Sequence, residues 1–136
     1  MPNLTDLQVG DALPERKHTP TNVTLFMYNA AIWNPHRIHY DEKYTTEIEK
    51  HPGIVIDGPL QGDWLTQVVL NWLGKDGELV NFSYSNRRAS YLGETLTSGG
   101  TVSAVDQANG EVTLDIFIKN ADGEVMTPGQ AVVKFA

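Results

Sequence analysis

Apolar side chains change their spacing twice along this chain. Val23, Phe26, Met27 and Ala30 fall at i, i+3, i+4 and i+7, which predicts a helix with one buried face and with Thr21 or Asn22 as its N-cap. Asn34-Pro35 ends that pattern, because proline cannot continue an interior turn and pushes the residue before it toward an extended conformation. Trp33 to Asp41 is therefore expected to be an irregular loop. Asp41 to Lys50 is polar, alternates Glu and Lys, and predicts a short solvated helix stopped by His51-Pro52-Gly53. Leu60, Trp64, Leu65, Val68, Val69, Trp72 and Leu73 then recur every three to four residues, which predicts a long helix. Asp57 or Gly58 is its cap, Pro59 lies in its first turn and Gly74 closes it. Its apolar positions cover more than one narrow stripe, so this helix should be enclosed rather than laid on a surface. Before residue 20, Leu7-Val9-Leu13 suggests only a short strand or extended arm.

After Gly74 the period becomes two. Val80-Phe82-Tyr84, Leu96 to Val105, Val112 to Ile118 and Val125 to Phe135 read as strands, and Asn109-Gly110 and Asp122-Gly123 are turn dipeptides that tolerate positive φ. Val112, Leu114, Ile116 and Ile118 alternate with Thr113, Asp115, Phe117 and Lys119, one face apolar and one mixed. The pattern predicts an antiparallel meander in the C-terminal half and helices before it. That is an α+β arrangement in one domain over residues 1–136, with a sheet wrapped around the long helix.

Composition narrows what such a domain can do. The formal net charge of -7, with no block of lysines or arginines, argues against nucleic acid and against an anionic membrane surface. Arg37, Arg87 and Arg88 are isolated positive points, better suited to a small anionic ligand than to a polymer. The absence of cysteine excludes disulfides, thiolate nucleophiles and cysteine-held metals. The stretch Met1 to Gly10 lacks the basic start and apolar run of a secretory leader, and no segment is long enough to span a bilayer, so a cytoplasmic protein is expected.

The chemistry concentrates in Trp33-Asn34-Pro35-His36-Arg37-Ile38-His39-Tyr40-Asp41, where two imidazoles, a guanidinium, a carboxamide and a carboxylate share one loop. Imidazole exchanges protons near neutral pH, which makes this loop a candidate general acid/base site. Trp33, Tyr40, Trp64 and Trp72 are read as core or pocket wall.

That loop, the helix start Ile56-Asp57-Gly58-Pro59-Leu60-Gln61, and the later Phe82-Ser83-Tyr84 and Tyr91-Leu92-Gly93-Glu94-Thr95-Leu96 resemble the MaoC-like hot-dog dehydratases. More narrowly, they resemble the hydroxyacyl-thioester dehydratase type 2 and mesaconyl-CoA hydratase branch. The resemblance runs from about residue 5 to the end and implies a hot-dog fold. It also implies hydration of an enoyl-CoA or dehydration of a 3-hydroxyacyl thioester, with coenzyme A as part of the substrate and no metal or redox cofactor. The (R)-specific hydratases of this superfamily have Asp-x-Asn-Pro-(Ile/Leu)-His in this loop. Laid on this chain, their His falls on His39, their Asp on Asn34 and their Asn-Pro on His36-Arg37.

The resemblance thus implies His39 as general base and acid. Asn34 would orient water through its carbonyl oxygen, and His36 would relay the proton or orient His39. The thioester oxygen becomes enolate-like, and the free N–H groups of a helix start stabilise such charge. The Gly58 amide is expected there, with Leu60 second, although Asp-Gly-Pro is also an ordinary way to begin a helix. Arg37, Arg87 and Arg88 are candidates for the phosphates of coenzyme A or a substrate carboxylate, with Trp33 and Tyr40 lining the pocket. Hot-dog domains of this kind normally pair, so a homodimer or higher homo-oligomer is expected. Two alternatives stand beside this reading: an acyl-CoA thioesterase using Asp57 or Asp63, and a subunit that needs a different hot-dog chain as partner.

Overall fold

The computed structural model describes residues 2–136; Met1, the first residue of the stretch read above for a leader, lies outside them. Strands β1 (Ala12–His18), β2 (Gly77–Tyr84), β3 (Leu96–Asp106), β4 (Glu111–Lys119) and β5 (Val125–Phe135) form one antiparallel sheet in the order β1-β3-β4-β5-β2. Helices α1 (Asn22–Ile32), α2 (Glu42–Glu47) and α3 (Gly58–Leu73) lie between β1 and β2 in the chain. α3 touches all five strands, which makes it the helix around which the sheet wraps. Its Leu65, Val69 and Leu73 are fully enclosed together with Val112, Leu114, Ile118, Ala131 and Val133 from β4 and β5. The period-two pattern of β4 is borne out, since Val112, Leu114, Ile116 and Ile118 all face this core.

The expected meander holds only for β3, β4 and β5. β2 pairs with β5, from Gly77 opposite Phe135 to Tyr84 opposite Gly129, so the chain must cross the sheet to reach β3. The crossing segment passes the start of α3, where the Ser90 carbonyl accepts from the Ile56 amide and the Ile54 carbonyl accepts from the Leu92 amide. Periodicity identifies strands but not which edge each one joins, and here the crossing closes one end of α3.

β1 lies later than the Leu7-Val9-Leu13 arm suggested. Leu13 is its only buried residue, and Glu15, Arg16 and Lys17 occupy most of the rest, so no alternation marked it. Charged residues on an edge strand also discourage pairing with other chains.

The face predicted for α1 is a correction. Val23, Phe26 and Met27 are 64%, 58% and 64% exposed, and Ala30 is exposed as well; the buried side of the helix carries Leu25 and Asn29. Thr21 is the N-cap, its hydroxyl accepting from the Thr24 amide. The apolar spacing is real, but the stripe faces outward, and the inward side carries Leu25 and the Asn29 carboxamide that reaches Asp57. Among the described residues, no helix is long and apolar enough to cross a membrane.

Candidate functional site

Three separate pieces of chain bring side chains to the N-terminal end of α3. The first is the turn after α1. Trp33 takes a left-handed conformation (φ 57°) that ends the helix, and the loop runs on to a single 3-10 turn at Arg37–His39. The second is the extended segment Ile54–Ile56, pinned on one side by the Ile38 carbonyl and on the other by the Ser90 carbonyl. The third is Asp57 itself, the residue immediately before the helix. Because Val55 is hydrogen-bonded to the His-bearing turn, the loop cannot shift without breaking an interior ladder, and His39 is held where α3 begins.

His39 is 7% exposed. Its Nδ1 lies 2.8 Å from the Val55 carbonyl oxygen, which can only accept, so Nδ1 is the donor and Nε2 is left for chemistry. Nε2 lies 3.5 Å from Oδ2 of Asp57. Asp57 has no exposed surface, and its Oδ1 accepts from Nδ2 of Asn29 at 3.0 Å. Its Oδ2 has no hydrogen-bond partner among the described residues. The side chain that was expected to cap α3 makes no capping hydrogen bond; it points inward instead. Burial pushes its carboxyl above the ordinary carboxylate range, opposed by the Asn29 hydrogen bond and the adjacent His39.

This arrangement predicts a stability effect. Because the folded chain binds the Asp57 proton more tightly than the unfolded chain does, the ionised carboxylate costs stability near neutral pH. That cost falls away as pH drops through the raised folded-state value toward the ordinary carboxylate value. Asp57→Asn keeps the shape without the charge. The variant should be more stable than wild type by on the order of 1 kcal/mol near neutral pH. The gain should shrink in mildly acidic buffer. Thermal unfolding at the two pH values checks this, and a lower melting temperature at neutral pH would contradict it.

The other loop residues divide by position. Asn34 is half-buried, and its Oδ1 accepts from the His36 amide at 3.1 Å, an Asx turn that shapes the loop. His36 is exposed and meets His39 edge to face, with ring centres 5.8 Å apart. Arg37 is engaged by Asp41, with Nη2 2.8 Å from the carboxylate, and lies over the Tyr44 ring. Arg88 is paired with Glu124, and Arg87 is exposed beyond β2. The structure therefore gathers Asn34, His36 and His39 in one loop and ties Arg37 and Arg88 to surface carboxylates. Trp33 and Tyr40 line a cavity of about 320 Å³ with Phe26, Ala30, Asn29, Asn34 and Pro35. The outward stripe of α1 supplies part of that wall.

Gly58 begins α3 under a tight contact, since a Cβ there would collide with the Asn86 carboxamide. Asn86 accepts from the Thr127 hydroxyl at 3.3 Å, and that hydroxyl also meets the Gln61 carbonyl oxygen at 2.6 Å. Gln61 and Thr127 are buried, so a polar network surrounds the N-terminal turn of a helix whose remaining inward positions are apolar. Sequence reasoning missed Asn29, Asn86 and Thr127. A polar residue on the inward side of α1 was the one available signal for Asn29, and the apolar stripe beside it obscured it. Asp63, exposed on α3, accepts from the Tyr28 hydroxyl at 2.9 Å.

The comparisons with known proteins agree with this fold. The mesaconyl-C(4)-CoA hydratase of Chloroflexus aurantiacus is 34% identical over 79 residues, which is 58% of this chain and 27% of that protein, so the match spans about a quarter of the relative's length. Two solved structures share the fold over nearly the whole chain. The (R)-hydratase from A. caviae involved in PHA biosynthesis has a TM-score of 0.86 at 20% identity, covering 96% of this chain and 98% of its own. The ChsH1–ChsH2 complex from Mycobacterium tuberculosis gives 0.83 at 19% identity, covering 95% of this chain and 98% of that one. Hydroxyacyl-thioester dehydratase type 2 is the family whose model matches residues 6–92, a stretch that holds the whole His39 loop and the start of α3. With a hot-dog sheet around α3 and that loop at its tip, the chain belongs to the hydroxyacyl-thioester dehydratase type 2 family.

Proposed function

We propose that this chain adds water to an enoyl thioester and, in reverse, dehydrates the 3-hydroxyacyl thioester. The observation that carries the reading is the imidazole of His39 fixed beside Asp57, the residue that precedes α3, with Nδ1 committed to a backbone carbonyl and Nε2 without a hydrogen bond. A base next to a helix N-terminus supplies both requirements of the reaction. Nε2 takes a proton from water as the water oxygen bonds to the β-carbon. The alkene electrons move into the thioester carbonyl, and the N–H groups of the first turn stabilise the resulting enolate oxygen. The proton then passes from Nε2 to the α-carbon. We assign the oxyanion donor to the Gly58 amide; Pro59 has no N–H, and the Leu60 amide is the next along the turn. Asn86, packed on Gly58, offers a further amide close to the same point.

The acyl chain would occupy the cavity beside α1. Its lining is mostly apolar and includes no charged residue, so an uncharged acyl group fits better than one ending in a carboxylate. Asn34 lies on its wall and would orient the water; His36, at the edge of His39, would relay the proton. Coenzyme A would be held from outside the cavity. Arg87 is the arginine of the three with no carboxylate partner among the described contacts, while Arg37 and Arg88 would have to exchange theirs for phosphate.

A thioesterase needs a carboxylate that reaches the thioester carbonyl or its attacking water. Asp57 has no exposed surface and Asp63 is bound by Tyr28, which favours addition over hydrolysis. We also propose that a second hot-dog domain covers the outward stripe of α1, where Trp33 is 91% exposed. A homodimer is the simpler assembly, and a different hot-dog partner is the second. The purified chain should remove the conjugated-enoyl absorbance of crotonyl-CoA and longer trans-enoyl-CoA substrates without releasing free thiol. Thiol release from the saturated esters instead would reverse the assignment, and its oligomeric state in solution would separate the two assemblies.

A further inference from the structure

Asn34, the position onto which the loop Asp of the (R)-specific hydratases falls, is an amide that cannot take up a proton. Yet a carboxylate is present at the site, delivered from another part of the chain. Asp57 reaches His39 from the start of α3, and three observations show that it is built in. It has no exposed surface, one oxygen is fixed by Asn29, and the other has no hydrogen-bond partner and lies 3.5 Å from Nε2 of His39. Asn29 is itself buried, anchored by donating from Nδ2 to the Leu25 carbonyl at 2.7 Å. A helix cap would have turned the carboxylate to the helix N–H groups, and a solvated residue would have turned it outward. An unpaired buried oxygen beside an imidazole costs stability, and such a cost is typically retained where function needs it.

We infer that Asp57 is the positioning residue for proton transfer at His39, supplying from the α3 start the negative charge that Asn34 cannot. The inference rests on the hydratase reading above. In the hydration direction, Nε2 takes the water proton as the C–O bond forms, and the imidazolium so created stands against Oδ2 of Asp57. When the proton passes to the α-carbon and the enolate electrons return to form the C–H bond, His39 is neutral again and Asp57 is unchanged. Asp57 itself never touches the substrate. The pairing also removes a conflict at the helix tip: a lone carboxylate pointing inward would oppose the enolate, whereas a carboxylate facing an imidazolium leaves the pair without net charge. The groups facing Asp57 are Asn29 from α1 and His39 from the 3-10 turn.

Asp57→Asn keeps the size and the Asn29 contact and removes only the charge. Its kcat for enoyl-CoA hydration should fall at least about tenfold, while KM stays within about threefold. Placed in a His39→Ala background, it should cause no further loss, because its effect runs through the imidazole. The nitrogen NMR signals of His39 give a readout independent of turnover. Near neutral pH, Nε2 should be less protonated in Asp57→Asn than in wild type, whereas Nδ1, held by Val55, should stay as it is. Unchanged kcat in Asp57→Asn, a multiplicative loss in the double variant, or an unchanged Nε2 signal would each overturn the inference. If the wild-type chain hydrates no enoyl thioester, the hydratase reading fails by itself. The Nε2 signal then still decides whether Asp57 and His39 act as a pair. Should Asp57→Asn not fold, Asp57→Ser takes its place, with the same fall in kcat expected and an unchanged kcat overturning the inference.

Discussion

His39→Ala should lower the rate of the proposed enoyl-thioester hydration at least about a hundredfold, the loss expected when a positioned general base is removed. The loss should fall on kcat. The cavity proposed to seat the acyl chain does not include His39 among its lining residues, and the proposed oxyanion donors belong to the start of α3, so thioester binding should keep most of its contacts. The fold should survive, because the segment that His39 touches is also held by the Ile38 carbonyl to the Val55 amide and by the Ser90 carbonyl to the Ile56 amide. His39→Gln is the companion variant. Its carboxamide can still meet the Val55 carbonyl but cannot cycle a proton, so it should be as slow as His39→Ala and closer to wild type in stability. Steady-state kinetics with an enoyl-CoA, read with thermal unfolding, checks both variants. Activity within a few-fold of wild type in either would move proton transfer to another group, with His36 first in line.

The arrangement that makes this expectation firm was only half legible in the sequence. α3 was readable from Asp57-Gly58-Pro59 to Gly74 because cap position, proline and closing glycine bracket apolar residues that recur every three to four positions, and each signal is local. The core face of β4 was readable because alternation over nine residues is also local. The position of β2 at the edge next to β5 was not, since pairing partners are chosen by contacts distant in sequence. α1 shows the limit most clearly. Its apolar stripe obeys helical spacing, and nothing in the spacing distinguishes a stripe that packs on a sheet from one that lines a cavity at the surface. The same ambiguity affected Asp57, which occupies an ordinary capping position and differs from a cap only in the direction of its side chain. That direction depends on Asn29, twenty-eight residues earlier, which only the folded chain brings within reach.

Leu65→Ala, in the middle of α3, should be the most destabilising of the substitutions considered, with a cost of about 3 kcal/mol. Leu65 has no exposed surface and belongs to the cluster that joins α3 to all five strands. Truncation removes the transfer energy of its side chain and leaves a cavity. The surroundings cannot easily close it, because α3 is held from several directions by strands that are themselves paired edge to edge. For a domain of this size such a loss is a large fraction of the total stability and should lower the melting temperature by on the order of 10 °C. Urea unfolding should show the midpoint falling at an unchanged slope, as expected when the folded surface is preserved. A loss under about 1 kcal/mol would mean that the helix relaxes onto the sheet far more freely than this packing allows. The comparison with His39→Ala separates what holds the site from what performs its chemistry. Leu65 lies two turns along α3 from Asp57, so the folded fraction of Leu65→Ala should keep kcat near wild type. His39→Ala should lose kcat and keep most of its stability. If Leu65→Ala lost turnover in proportion to stability while still folded, α3 would have shifted against the turn that carries His39. The register between that turn and the helix tip would then depend on core packing as well as on the Val55 contacts.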